Sequence, residues 1–236
     1  MIRLDIYLTK YHNIQSRNKA SELIKSKKVF VNNKLITKPS YLVDDLASIK
    51  IDETLFYVSR SAYKLKYFVE EHQICLKDLE ALDIGASTGG FTQILLENGV
   101  KSVVSLDVGD NQLHSNIKED LRVCIVENTD VRKFFPEHSY GIVTCDVSFI
   151  SILKILSDID RLACDKIIIL YKPQFEVGKN IKRDKNGVVL DKHAISLARD
   201  EFLKQTQNLK WNLQISSQSK VAGKKGNQEE LFYFTK

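Results

Sequence analysis

Apolar side chains recur along the first fifty residues at two periods, one helical and one alternating. Leu4, Ile6, Leu8 and Tyr11 are spaced to supply one side of a helix over residues 4–11. Ala20, Leu23 and Ile24 supply the apolar face of a second helix, and Ser16 is placed to cap its N-terminus. Val29-Phe30-Val31 then reads as a short strand, Asn32-Asn33 as a hairpin turn and Leu35-Ile36 as the return. A further strand over 46–51 completes a small α+β domain at residues 1–53, and the polar run Asp52-Glu53-Thr54 introduces a linker over 54–58.

From Ser59 the pattern changes. Tyr63, Leu65, Phe68 and Val69 mark a helix, after which strands alternate with helices. Strands are predicted at 81–84, 103–107, 123–127, 142–146 and 167–171, and helices at 90–98, 111–119, 151–162 and 193–208. That alternation predicts a parallel, doubly wound sheet over residues 59–236. Two last strands near 212–217 and 230–234, joined by a short connection, predict an antiparallel hairpin at one edge. The fold class is therefore α/β, a seven-stranded Rossmann-like sheet preceded by a small α+β domain.

Composition adds constraints to this picture. A chain of 236 residues, 43% apolar, can bury one core and still carry a small accessory domain. The longest purely aliphatic run, Ile167 to Leu170, is far too short to span a bilayer, and the charged start at Arg3 and Asp5 lacks a signal-peptide apolar stretch. A soluble, cytoplasmic protein without a membrane role is expected. Cys75, Cys124, Cys145 and Cys164 form no Cys-x-x-Cys pair, so reduced core cysteines and no metal site are expected. The net charge of +5 is uneven. Residues 1–40 hold nine Lys or Arg against Asp5 and Glu22, which leaves −2 on the remainder. A basic head on a near-neutral body suits an anionic partner such as nucleic acid; a lysine-rich solvated surface is the other reading.

The chemistry begins at Ala81-Leu82-Asp83-Ile84-Gly85-Ala86-Ser87-Thr88-Gly89-Gly90-Phe91, a strand running into a glycine-rich turn and a helix. In a doubly wound sheet, ligands bind where this first crossover starts. Glycines let backbone approach the ligand, and the new helix directs free N–H groups toward it. A dinucleotide fingerprint needs Gly-x-Gly-x-x-Gly, and Ser87 stands at its second glycine. An acid two residues before the first glycine suits an amine-bearing cation such as S-adenosylmethionine better than a pyrophosphate. Asp107 ends the second strand of the sheet, where a carboxylate can bind both ribose hydroxyls, and Asp130 follows the third, within reach of an adenine amino group. The seven-stranded sheet with an antiparallel edge is also the usual methyltransferase architecture.

Two strand ends face the same crevice: Thr144-Cys145-Asp146-Val147-Ser148-Phe149 and Leu170-Tyr171-Lys172-Pro173-Gln174-Phe175-Glu176. Asp146 and Lys172 can meet there, either as a structural ion pair or as proton-handling groups, with Lys64 and Glu229 placed to join them. A ribose hydroxyl must lose its proton as it attacks a methyl carbon, and a desolvated lysine can take it.

Segments 59–65, 83–91, 146–151, 172–178, 187–189 and 226–229 resemble the TlyA family, ribosomal RNA cytidine 2′-O-methyltransferases often called hemolysins. The resemblance covers nearly the whole chain. It implies an FtsJ-like catalytic domain whose Lys-Asp-Lys-Glu tetrad falls on Lys64, Asp146, Lys172 and Glu229. Lys172 would be the base, Asp146 its partner, and Lys64 and Glu229 the positioning pair. S-adenosylmethionine would be the cofactor, held by Asp83, Gly85, Ala86, Ser87, Thr88, Gly89, Gly90, Phe91, Asp107, Asp130 and Asp146. The amino-terminal segment resembles the RNA-binding module shared with some pseudouridine synthases and a small-subunit ribosomal protein. Arg3, Arg17, Lys19, Lys27 and Lys28 would then be phosphate contacts that position RNA without reading its sequence.

Some positions depart from the family pattern. Lys27 and Asn33 stand where the module often has glycine, Ser61 replaces the glycine of Ser-Arg-Gly, and Asp110-Asn111 replaces an aromatic-glycine pair. Asp130 stands where asparagine is frequent. Ribosomal RNA or ribosomal subunits are the expected partners, and the oligomeric state stays open, a monomer being compatible. The chain ends soon after its last strand, which favours large-subunit RNA alone as substrate. A membrane-active hemolysin and a non-catalytic assembly factor are the competing readings.

Overall fold

The computed structural model describes residues 1–12, 14, 16–44, 46–51 and 57–236. Linker residues 54–56, and Asp52 and Glu53 before them, lie outside the described residues. The chain divides into two units, Met1–Phe56 and Tyr57–Lys236.

The first unit contains β1 (Ile2–Arg3), α1 (Leu4–Tyr11), α2 (Arg17–Lys25), β2 (Val29–Val31), β3 (Lys34–Ile36), β4 (Leu42–Val43) and β5 (Ile49–Ile51). Ser16 caps α2 by accepting from Lys19 N–H. In α1 the buried face is Leu4, Tyr7 and Leu8 with Asp5, while Tyr11 is exposed, so the apolar stripe lies one step away from the predicted one. The cause is Asp5: its carboxylate takes Arg3 and Arg17, so a formally polar position turns inward. β2 pairs antiparallel with both β3 and β5. The strand predicted at 46–51 shortens to 49–51, because Asp44 turns the chain by accepting from Leu46 N–H. Lys27 and Asn33 both adopt φ near +63°, keeping the turns that glycine would favour.

The second unit contains α3 (Arg60–His72), β6 (Glu80–Ile84), α4 (Gly90–Glu97), β7 (Ser102–Leu106), α5 (Ser115–Lys118), β8 (Val123–Val126), β9 (Tyr140–Cys145), α6 (Leu156–Leu162), β10 (Ala163–Tyr171), α7 (Pro173–Glu176), α8 (Lys192–Asn208), β11 (Asn212–Gln218) and β12 (Glu230–Thr235). Among the described residues one seven-stranded sheet forms, in the order β11-β12-β10-β9-β6-β7-β8. β12 runs antiparallel to β10 and β11, and the remaining neighbours are parallel. The unbroken apolar run of β10 is explained by burial on both faces. Ile167, Ile169 and Tyr171 join one core with Val143, Phe232 and Phe234, whereas Ile168 and Leu170 join the other with Phe68, Ile94 and Leu231.

Two predicted helices differ. The one at 111–119 shrinks to α5, because Glu127 takes the N–H groups of Gln112 and Leu113 and holds that stretch as a loop. The one at 151–162 splits into a single turn, Ile152–Lys154, and α6, because the Glu176 carboxylate accepts from Ser151 Oγ and Ile152 N–H. The cysteine expectation also needs correction. Only Cys145 is buried; Cys75, Cys124 and Cys164 are exposed, Cys124 because edge strand β8 turns that face outward.

Candidate active site

The order of strands reverses between β6 and β9, and the carboxyl ends of those strands open onto a crevice. β6 ends at Ile84 and is followed by Gly85, whose φ is +81°. A Cβ there would stand 2.9 Å from the carbonyl oxygen of Asp146, so only glycine lets the two strand ends lie side by side. The chain turns through Ser87, whose N–H donates to Asp107 Oδ2 at 2.8 Å, while Gly109 N–H donates to Oδ1 at 2.7 Å. Asp107 is thereby fixed at the end of β7. At the start of α4, a Cβ on Gly90 would fall 2.0 Å from Ser59 Oγ and 2.4 Å from Ser61 Oγ, two hydroxyls bonded to one another.

These elements enclose a cavity of about 370 Å³. Its walls are aliphatic, from Ile84, Leu106, Val131, Val147, Ile150 and Ile155, with Asp107, Asp130 and Asp146 at its edges. Asp130 caps the turn Val131–Lys133 and pairs with Arg132, which holds its carboxyl down at about 2. Of the predicted cofactor residues, Gly85, Ser87, Asp107, Asp130 and Asp146 line this cavity; Ala86, Thr88, Gly89, Gly90 and Phe91 do not. Phe91 packs in the core and Gly90 against the α3 N-terminus. Asp83 does not line this cavity either. It is fully buried beneath the turn, accepting from Thr92 Oγ1 and Thr144 Oγ1, and burial pushes its carboxyl up to about 7. It supports the turn from below and is absent from the cavity wall. Val108, Gln112 and Thr129 line the cavity without any sequence signal that singled them out.

A second cleft, of about 560 Å³, shares Asp146, Ser148 and Phe149 with the first. Lys64, Asp146, Lys172 and Glu229 all line it. They arrive from α3, from the end of β9, from the end of β10 and from the residue before β12. Lys64 Nζ lies 2.5 Å from Glu229 Oε2, and Lys172 Nζ lies 2.5 Å from Asp146 Oδ1 and 2.9 Å from Ser148 Oγ. The Asp146 contact is a charge contact, since Oδ1 has no aligned hydrogen-bond donor among the described residues. Burial pushes the Asp146 carboxyl up, against the downward pull of Lys172 and Lys64.

The segment Lys172-Pro173-Gln174-Phe175-Glu176 is used throughout. Pro173 starts α7, Gln174 Nε2 donates to Glu229 Oε1 at 3.3 Å, Phe175 packs on Phe149 with ring centres 5.4 Å apart, and Glu176 ties down 151–152. Phe149 itself is almost fully exposed, at φ +66°. In Gly226-Asn227-Gln228-Glu229, Asn227 is buried and bridges Val189 N–H and Gly187 O. Arg60, Arg183, Lys224 and Lys225 line the cleft as well, and the sequence reading did not single them out.

In the first unit, Arg3, Arg17 and Lys27 reach solvent and Lys19 lies near Glu22. Lys28 is buried, so the structure does not display it as the sequence reading expected.

The FtsJ-like methyltransferase family matches residues 57–236, and the S4 domain matches residues 2–45. The 23S rRNA (cytidine-2′-O)-methyltransferase TlyA of Campylobacter jejuni is 44% identical over the full length of both chains. The 16S/23S rRNA (cytidine-2′-O)-methyltransferase TlyA of Mycobacterium tuberculosis is 36% identical, covering 98% of this chain and 88% of its own. A solved structure titled as a hemolysin, from Streptococcus thermophilus, aligns with a TM-score of 0.72 at 31% identity, over 99% of this chain and 88% of its own.

Proposed function

Since the chain belongs to the FtsJ-like methyltransferases, with the S4 domain and full-length similarity of the TlyA proteins, we propose that it methylates the 2′-hydroxyl of a cytidine in ribosomal RNA, using S-adenosylmethionine. The observation that carries this reading is the convergence of Lys64, Asp146, Lys172 and Glu229 in one cleft that opens onto the aliphatic cavity at Asp146. The cavity fits an adenosine: its aliphatic walls suit the purine faces, Asp107 suits the ribose hydroxyls and Asp130 the exocyclic amine. When bound, S-adenosylmethionine supplies a methyl carbon made electrophilic by its sulfonium.

The chain's own residues supply the proton handling. Lys172 Nζ, held against Asp146 Oδ1 and Ser148 Oγ, is the group placed to accept the proton of the 2′-hydroxyl as that oxygen attacks the methyl carbon. Ser148 Oγ, 2.9 Å from that Nζ, aims the amine toward the region where the two cavities join. The Lys64–Glu229 pair, shielded from solvent, fixes the far wall against which the ribose rests. The exposed Phe149 and its neighbour Phe175 offer aromatic faces to a base drawn out of its stack. The partner is ribosomal RNA in the cytoplasm, engaged also by the exposed cations of the first unit. Large-subunit RNA is the substrate, a reading supported by the name of the relative matched end to end.

The test is methyl incorporation from labelled S-adenosylmethionine into separate small and large ribosomal subunits from cells lacking the enzyme, followed by mass mapping. Label on a cytidine ribose of the large subunit is expected. Label on the small subunit as well would widen the substrate. Cofactor binding with no label on either would overturn the ribosomal assignment, and leakage of liposomes without methyl transfer would favour the hemolysin reading.

A further inference from the structure

Two loops of the second unit, 178–188 and 219–227, carry cations that the tetrad does not use. Lys185, Asn186, Lys224 and Lys225 line a depression of about 460 Å³, and Lys224 and Lys225 also line the tetrad cleft, so the two spaces are neighbours across those side chains. Lys185, Lys224 and Lys225 are exposed, and among the described residues none is paired with a carboxylate. The concentration is notable in a body whose remaining charge past residue 40 sums to −2.

The lysines stand on a braced scaffold. Arg183 is committed to folding, donating to the carbonyls of Gln174, Gly178, Lys179 and Ile181. Asp184 closes its own turn by accepting from Asn186 and Val188 N–H, so the acid in this stretch is occupied as well. Asn227 stitches one loop to the other through Val189 and Gly187. Gly223 lies so near the tetrad that a Cβ there would stand 2.5 Å from Glu229 Oε1. The loop bearing Lys224 and Lys225 is thus the outer skin of the wall that holds Glu229.

We propose that Lys185, Lys224 and Lys225 form a phosphate clamp for the RNA strand on either side of the methylated nucleotide. The inference rests on the reading of the cleft as a ribose 2′-O-methylation site. Any ribose that enters the cleft carries a phosphodiester on each side, and flexible, unpaired ammonium groups beside the opening are the chemistry that neutralises them. Such contacts set affinity and register without reading bases, so the clamp works with the basic first unit rather than replacing it.

The experiment compares wild type with the triple variants Lys185→Ala/Lys224→Ala/Lys225→Ala and Lys185→Arg/Lys224→Arg/Lys225→Arg. RNA binding and methylation are followed across a salt series with unmethylated large subunits, alongside S-adenosylmethionine binding and thermal melting as folding controls. The alanine variant is expected to raise the KM for RNA at least tenfold, with kcat falling less than threefold. Its plot of log affinity against log salt should flatten by about 0.7 for each lost contact, roughly 2 in all. The arginine variant should restore both. An alanine variant with unchanged KM and unchanged salt slope overturns the clamp. If wild type binds RNA but transfers no methyl group, the methylation reading falls, and the salt slope of binding alone still decides the clamp.

Discussion

At the scale of single residues, the site depends on how burial changes its acids and on which partners hold its amines. Lys172→Ala should lower methyl transfer by about 10²–10⁴-fold while the protein stays folded and binds S-adenosylmethionine, as single-turnover assays and calorimetry would register. Full activity in that variant would remove Lys172 from the role of base. Asp83 carries a different consequence. Its carboxyl, ordinarily near 3.8, is pushed up to about 7 by burial, so between those values the folded state binds more protons than the unfolded one. Stability therefore falls as pH rises from about 4 to about 7, by up to roughly 4 kcal/mol. Asp83→Asn should flatten that dependence in denaturant titrations, and an equal slope in both proteins would contradict the assignment. Lys27, at φ +63°, holds a conformation that L side chains disfavour by about 1–2 kcal/mol. Lys27→Gly should relieve part of that strain and raise the melting temperature of the first unit.

At the scale of elements, the site is assembled from the ends of strands and the starts of helices. Glu176 accepts two hydrogen bonds from residues 151–152 and so fixes the segment that carries Ser148 and Phe149. Glu176→Ala should cost about 1–3 kcal/mol and lower activity without removing any group of the tetrad. Hydrogen exchange at Ile152 is the direct readout, and unchanged protection there would refute the bracing role. Helix α4 begins where Gly90 meets the hydroxyls of Ser59 and Ser61. Gly90→Ala must push that corner apart, a change worth about 1–3 kcal/mol in denaturant midpoints.

At the scale of the whole molecule, each unit has its own apolar core. The first buries Leu4, Leu8, Ala20, Ile24 and Val29 together with their neighbours; the second buries two layers, one on each face of the sheet. Leu8→Ala should therefore destabilise the first unit by about 2–5 kcal/mol, leaving S-adenosylmethionine binding unchanged and weakening RNA binding. Loss of cofactor binding in that variant would show that the two cores are energetically one. The basic charge is divided in a corresponding way, with one group of cations in the first unit and another on the two loops beside the cleft.

Local sequence determined the alternation of strands and helices, because period-two and helical apolar patterns report burial directly, and residues 167–171 of β10 read as an unbroken apolar run because both faces are covered there. It also determined which residues could do chemistry, through short motifs at strand ends and a family resemblance that named Lys64, Asp146, Lys172 and Glu229. Periodicity could not have brought Lys64 and Glu229, 165 positions apart, to within 2.5 Å. That meeting was decided by the insertion of β12 between β10 and β11, which delivers Glu229 to the cleft. Tertiary structure likewise buried Asp83 beneath the glycine turn, exposed three of the four cysteines and gathered Lys185 beside Lys224 and Lys225. A residue's type and spacing are fixed by the chain, whereas its desolvation and its charged neighbours come from segments distant in sequence, and those interactions decide which acids line the cavity and which lie buried beneath it.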